Sequence, residues 1–176
     1  MNYSLNNIII EKLNENNIFL RKANIDDLNE ILNLFKERID WFKQNNINQW
    51  LKYFDLHSKL EFSDIIQNSN YFVMVQNNKI IAGFEVSCDS KYWKDYSNDS
   101  YYLYKVVTKV DNKNIGNLVF EICKYFSKIN NKKYLRLNCI SSNKKLNEIY
   151  EKYHFHFVKQ IKDNEYLYFL REYIVE

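Results

Sequence analysis

Proline is absent from this 176-residue chain, and glycine occurs only twice. With so few, each glycine should mark a position where a side chain does not fit. Cysteine is also sparse: Cys88, Cys123 and Cys139 form an odd set without close spacing, which indicates neither a disulfide framework nor a zinc site. Cys123 falls in a helical pattern and Cys139 ends a strand-like run, so both read as buried free thiols. No apolar run approaches the ~18 residues of a membrane span. The opening Met-Asn-Tyr-Ser-Leu-Asn-Asn has no basic stretch, and Ile8-Ile9-Ile10 is too short for a secretion signal. The expected compartment is the cytoplasm. The net charge of +3 is too mild for a nucleic-acid footprint, and Lys132-Lys133 and Lys144-Lys145 read as solvated surface.

What is present is asparagine, about one residue in seven, with excess Ile, Lys and Tyr. That bias makes single residues of these types uninformative and the two glycines more so. Gly83 lies inside the apolar run Lys79-Ile-Ile-Ala-Gly-Phe-Glu-Val. Gly116 closes the polar loop Asp111-Asn-Lys-Asn-Ile-Gly, where an apolar helical pattern begins. A helix start with exposed backbone amides is a natural seat for a phosphate group.

Residues 1–17 read as a short strand or a loosely attached arm. Ile18–Ala23 reads as a strand. Asn24 and Asp26-Asp27 then cap a helix whose stripe is Leu28, Ile31, Phe35, Ile39 and Phe42. A second helix is expected over roughly 56–67. Tyr71–Gln76 and Lys79–Cys88 form a hairpin, with Asn77-Asn78 supplying the positive φ of a tight turn. A polar aromatic loop precedes a strand at 101–110. A helix with Ile115, Leu118, Val119, Ile122, Phe126 and Ile129 on one face follows the 111–116 loop. Lys133–Ile140 is a strand, and Ser141–Asn143 caps a helix bearing Leu146, Ile149, Tyr150 and Tyr153. Two last strands lie near 155–161 and 166–173. With no linker and no repeat, this order describes one α/β domain spanning 1–176.

The strand–loop–helix order, from about Ile18 to Tyr173, resembles the GNAT superfamily of acyl-CoA N-acyltransferases. That family carries a Gln/Arg-x-x-Gly-x-Gly/Ala loop, matched here by Asp111, Asn112, Lys113, Asn114, Ile115 and Gly116. Asn114 stands for a glycine, as the next residue most willing to adopt the left-handed conformation, and Asp111 stands for the usual Gln or Arg. Many members also have an Asn, seven residues, then Tyr-Glu-Lys-x-Gly-Phe. Here Asn143 precedes Tyr150-Glu151-Lys152-Tyr153-His154-Phe155, with His154 in place of the glycine. Leu135–Cys139, Tyr102–Val107 and Gln49-Trp50 resemble one branch of the family.

The resemblance implies an α/β (α+β) fold with a mixed sheet of about seven strands and helices on both faces. It implies acetyl-CoA as co-substrate, no metal, and a splayed fourth strand at which Val106 and Val107 offer backbone groups to the pantetheine arm. The coenzyme A pyrophosphate would sit on Lys113, Asn114, Ile115, Gly116 and Asn117, with Asn143 also at the cofactor. Tyr150 corresponds to the tyrosine that protonates the departing thiolate. The base is open, between Glu85, Asp99 and water; Glu85 is the carboxylate carried forward. His57, His154 and His156 match no catalytic position. Trp41, Trp50 and Trp93 are candidates for a pocket wall or for core. The implied function is acetyl transfer to a primary amine of a small molecule, without nucleic acid or membrane; dimerisation is common in the family, and the C-terminal strand edges are where a homodimer could form. The alternative is a degenerate GNAT-like domain acting as a coenzyme A-binding or interaction module.

Overall fold

The computed structural model describes residues 2–52, 59–96, 99–112 and 114–176. Its elements in chain order are α1 (Asn7–Glu15), β1 (Ile18–Lys22), a 3-10 turn (Ile25–Asp27), α2 (Leu28–Gln44), α3 (Lys59–Asn68), β2 (Tyr71–Gln76), β3 (Lys79–Ser87) and β4 (Ser100–Thr108). They are followed by α4 (Ile115–Ile129), β5 (Tyr134–Ile140), α5 (Lys144–Lys152), β6 (His156–Asp163) and β7 (Tyr166–Ile174). Seven strands form one sheet in the order β1-β2-β3-β4-β5-β7-β6, with β7 inserted between β5 and β6. Every neighbouring pair is antiparallel except β4 with β5.

Helices cover both faces, as the alternation along the strands requires. On one face α1, α4 and α5 bury Ile9, Leu13, Val119, Ile122, Phe126 and Tyr150 against Phe84, Leu103, Leu135 and Leu137. On the other, α2 and α3 bury Ile31, Phe35, Phe62 and Ile66 against Tyr71, Val73 and Val107. The expected α2 stripe is buried throughout, and each such side chain contributes roughly 1.5–3 kcal/mol by leaving water. Cys123 and Cys139 are buried, whereas Cys88 is exposed.

The N-terminal segment differs from the expected strand or loose arm. The Asn6 side chain accepts from the Ile9 amide at 2.9 Å and starts a helix whose Ile9 and Leu13, one turn apart, are buried. Tyr3 packs edge-on against Phe72 and Phe126, and Asn2 and Asn130 exchange two hydrogen bonds. The isoleucine run favours a strand locally, but the cap and the burial of one helical face outweigh it.

Ten described residues other than glycine have positive φ, and seven are asparagines, including both members of the 77–78 turn. Neither glycine is among the positive-φ positions. Asparagine therefore makes the left-handed corners of this chain. Trp50, Lys105 and His154 are the others, and all three border the region described next.

Candidate functional site

The sheet opens between β4 and β5. They pair only from Ser100–Tyr134 to Tyr102–Arg136. Beyond that point β4 continues against β3 as far as Thr108, and β5 continues against β7 as far as Ile140. The backbone of 103–108 thus has no ladder partner on its β5 side. The cause is a bulge: the β3–β4 register shifts between Gly83–Val107 and Glu85–Tyr104, so Lys105 and Val106 both lie opposite Phe84. Lys105 is left-handed there, with φ 47°. The Tyr71 hydroxyl donates to the Lys105 carbonyl at 3.3 Å. It reaches that point because residue 83 has no side chain; a Cβ on Gly83 would lie 2.6 Å from Tyr71 Oη.

Arg38 of α2 holds the far end of β4. Its Nε and Nη2 donate to the Thr108 carbonyl at 3.1 and 2.5 Å, and Nη2 also reaches Thr108 Oγ1 and the Lys109 carbonyl. Burial lowers its pKa, partly offset by the charge of Asp111. The loop then enters α4 through Asn114, left-handed at φ 72° as its glycine-like position anticipates, without a side-chain cap. The amides of Ile115 and Gly116 have no acceptor among the described residues, while that of Asn117 donates to the Asn114 carbonyl at 3.0 Å. A Cβ on Gly116 would meet nothing within 4 Å. Lys113 lies outside the described residues.

On the other side of the opening stands α5. Asn143 caps it through Oδ1, which accepts from the Leu146 amide at 3.1 Å, and its Nδ2 donates to Gln49 Oε1 at 2.7 Å. One turn on, buried Asn147 donates to the Ile140 carbonyl and accepts from Arg171 Nε at 3.0 Å. Arg171, 2% exposed, also reaches Glu151 and the Phe155 carbonyl. Tyr150 is packed between Phe120 and Phe155. Its hydroxyl has no hydrogen-bond partner among the described residues. Burial pushes its pKa far above that of a free phenol, with the thiol of Cys139 adding and Arg171 opposing.

No family model and no curated protein matches the sequence. Solved structures do match the fold. A GNAT-family acetyltransferase from Listeria monocytogenes superposes with a TM-score of 0.71 at 19% identity, covering 89% of this chain and 95% of that one. The PaiA N-acetyltransferase of Thermoplasma acidophilum, in complex with coenzyme A, gives 0.68 at 16% identity and 89% and 99% coverage. RimL, a ribosomal L7/L12 α-N-protein acetyltransferase in complex with coenzyme A, gives 0.65 at 14% identity and 90% and 94% coverage. The chain has the GNAT fold.

Within this GNAT fold Val106 and Val107 lie on the stretch of β4 that has no β5 partner, and Asn143 and Tyr150 lie on α5, which follows β5. Val106 is partly buried on the α4 side, and Val107 is buried on the α2 side beside Gly83. Glu85 is 8% exposed and pairs with Lys105 Nζ at 2.6 Å, next to the bulge. Asp99 lies at the opposite end of β4, where its carbonyl accepts from the amides of Lys133 and Tyr134. Of the two carboxylates only Glu85 borders the opening.

The three tryptophans do not gather into one wall. Trp50 packs on Phe35 and Phe42, Trp41 lies under Arg38, and Trp93 is buried beneath Arg136. His156 is exposed and starts β6, and His57 lies outside the described residues. His154 follows α5 at φ 63°. The Phe155 amide there donates to the Tyr150 carbonyl and the His154 amide to that of Glu151, a glycine-type helix exit made without glycine.

Arg38, Asn147 and Arg171 escaped the sequence reading. Arg38 had a signal, since it stands four residues from both Leu34 and Phe42 on the buried stripe of α2. Arg171 had none, because its partners Asn147, Glu151 and Phe155 are distant in the chain, and Asn147 showed none beyond its place in a helix. Among the described residues no cluster of metal-binding side chains occurs, and no helix is long and apolar enough to cross a membrane.

Proposed function

We propose that the chain is an acetyl-CoA-dependent N-acetyltransferase that moves an acetyl group to a primary amine of a small molecule by direct attack in a ternary complex. The observation that carries the reading is the opening between β4 and β5, with the capped helix of Tyr150 on one side and an unpaired stretch of strand on the other.

The chain's own groups suit such a ligand. The amides of Ile115 and Gly116, which have no acceptor among the described residues, stand at the positive end of α4 and suit a pyrophosphate, and the open space at Gly116 lets it approach. Asn114 and Asn117 shape that turn, and Lys113 would add charge. When bound, acetyl-CoA supplies an activated thioester. The backbone of Val106 and Val107 offers donors to its arm and to the carbonyl on which negative charge develops. Glu85 takes a proton from the attacking ammonium. Tyr150, whose pKa burial raises, carries the hydroxyl proton that would go to the departing thiolate. Asn143 fixes the start of its helix. A homodimer fits the same reading, since β6 is a free sheet edge.

A thermal-shift titration with acetyl-CoA, followed by thiol release over a panel of amines, tests this. A ligand at a hundred times its dissociation constant stabilises by about 2.7 kcal/mol. Tyr150→Phe should keep that stabilisation and lose roughly 10²-fold or more in turnover; an unchanged rate removes the acid role. A catalytically idle coenzyme A-binding or interaction module is the second reading, favoured by the carboxylate of Asp111 in the loop. Stabilisation without turnover on any amine would establish it. No stabilisation at all would remove the coenzyme A claim from both readings and leave only an interaction module.

A further inference from the structure

The chain carries an ammonium group of its own beside the carboxylate proposed as base. Lys105 Nζ lies 2.6 Å from Glu85 Oε2, with the lysine side chain 22% and the glutamate side chain 10% exposed. This contact is built at a cost. Lys105 occupies a left-handed conformation that lysine disfavours, and Gly83 and Tyr71 are arranged to hold its carbonyl. Such strain concentrates at functional sites. The residue also sits directly before Val106, on the stretch of β4 that has no partner towards β5.

We propose that Lys105 is an internal acetyl acceptor: its amine occupies the acceptor subsite beside Glu85 and is acetylated by acetyl-CoA when no external amine displaces it. The inference rests on the N-acetyltransferase reading above. Glu85 removes one proton from the Lys105 ammonium, and the freed nitrogen lone pair forms a bond to the thioester carbonyl carbon. The carbon–sulfur bond then breaks, and the sulfur takes the hydroxyl proton of Tyr150. The second nitrogen proton returns to Tyr150, and Glu85 passes its own to solvent. The balance is one acetyl-lysine, one free coenzyme A thiol and one proton released.

An external amine that binds at Glu85 must first break this ion pair, so Lys105 acts as its competitor. Once acetylated, Lys105 is neutral, and Glu85 is free to meet the external ammonium. The modification thus turns a self-occupied site into an open one.

The test is incubation of the full chain with acetyl-CoA and no amine, then peptide mass mapping over time. The exposed Lys144 and Lys145 report uncatalysed acetylation. The expected result is acetylation of Lys105 well ahead of Lys144 and Lys145. Glu85→Gln should slow it by roughly 10²-fold, the scale of a lost general base, without changing the surface lysines. Lys105→Arg, which keeps the charge, should remove one acetyl group per chain and leave acetyl-CoA stabilisation intact. Lys105 modified no faster than Lys144, in a chain that acetyl-CoA does stabilise, overturns the inference and leaves the parent reading standing. Absence of stabilisation overturns both. A Glu85→Gln chain that melts like the original yet acetylates Lys105 at the original rate also overturns it.

Discussion

The Asn143 side-chain amide donates to Gln49 Oε1 at 2.7 Å, joining residues 94 positions apart. Its other end caps α5. One side chain therefore ties the loop after α2 to the helix of Tyr150. Asn143→Ala removes the cap and leaves buried Gln49 unpaired, so it should cost about 1–2 kcal/mol in urea denaturation. Asn143→Asp keeps the cap, and Gln49 can turn its amide to donate, so the cost should stay within about 0.5 kcal/mol. Equal losses in the two variants would show that the Gln49 contact, not the cap, is the stabilising element.

The two glycines should respond in opposite ways. Gly83→Ala drives a Cβ into Tyr71 and should destabilise by about 1–3 kcal/mol. Tyr71→Phe in the same chain should recover part of it, since Tyr71 Oη is the nearest atom. Gly116→Ala meets no protein atom and should raise the stability of the free chain by up to about 1 kcal/mol. In the proposed site it should weaken acetyl-CoA by about tenfold, equivalent to 1.4 kcal/mol. Unchanged affinity would argue against a phosphate group at that turn.

His154→Gly should stabilise. The position is left-handed at φ 63° and already makes both hydrogen bonds of a glycine-type helix exit. Relief of about 1–2 kcal/mol of conformational strain outweighs the extra freedom of glycine in the unfolded chain. The expected gain is about 0.5–1 kcal/mol, or a rise of a few degrees in Tm for a chain of this size. A fall in Tm would mean that the imidazole makes a stabilising contact of its own.

Stability should fall in acid through Asp27. Arg21 meets its two oxygens at 2.6 and 2.8 Å, and the Asn24 amide donates to it at 2.8 Å, so its pKa lies below that of a free carboxyl group. A carboxylate with a depressed pKa stabilises above its unfolded value, about 3.9, and loses that contribution as pH falls through the folded value. Asp27→Asn should cost about 1.5 kcal/mol at neutral pH. The gap between the two chains should close below about pH 4. A gap that stays constant to pH 3 would contradict the assignment.

Local chemistry made much of this protein legible in one dimension. The stripe of α2, the Asn77-Asn78 turn, the Asn24 and Asn143 caps and the left-handed Asn114 follow from side chains acting on backbone within four residues of themselves. The N-terminal helix was missed because its local β-branched run and its burial point in opposite directions. Gly116 was read as a place where no side chain fits, yet the protein itself leaves that space open. Gly83 is the glycine that packing demands, because a Cβ there would lie 2.6 Å from Tyr71 Oη.

The opening between β4 and β5 is what the family resemblance implies, but no local pattern in the chain encodes how it is made. It requires Tyr71, Gly83 and Lys105 from three strands to meet at one bulge, and no periodicity encodes that meeting. The same holds for Glu85 against Lys105, Gln49 against Asn143, and Arg171 beneath α5. Sequence by itself determined which segments turn, cap and bury a face, because those forces act along the backbone. Folding decided which of those segments share a site, because ion pairs and steric fit act through space.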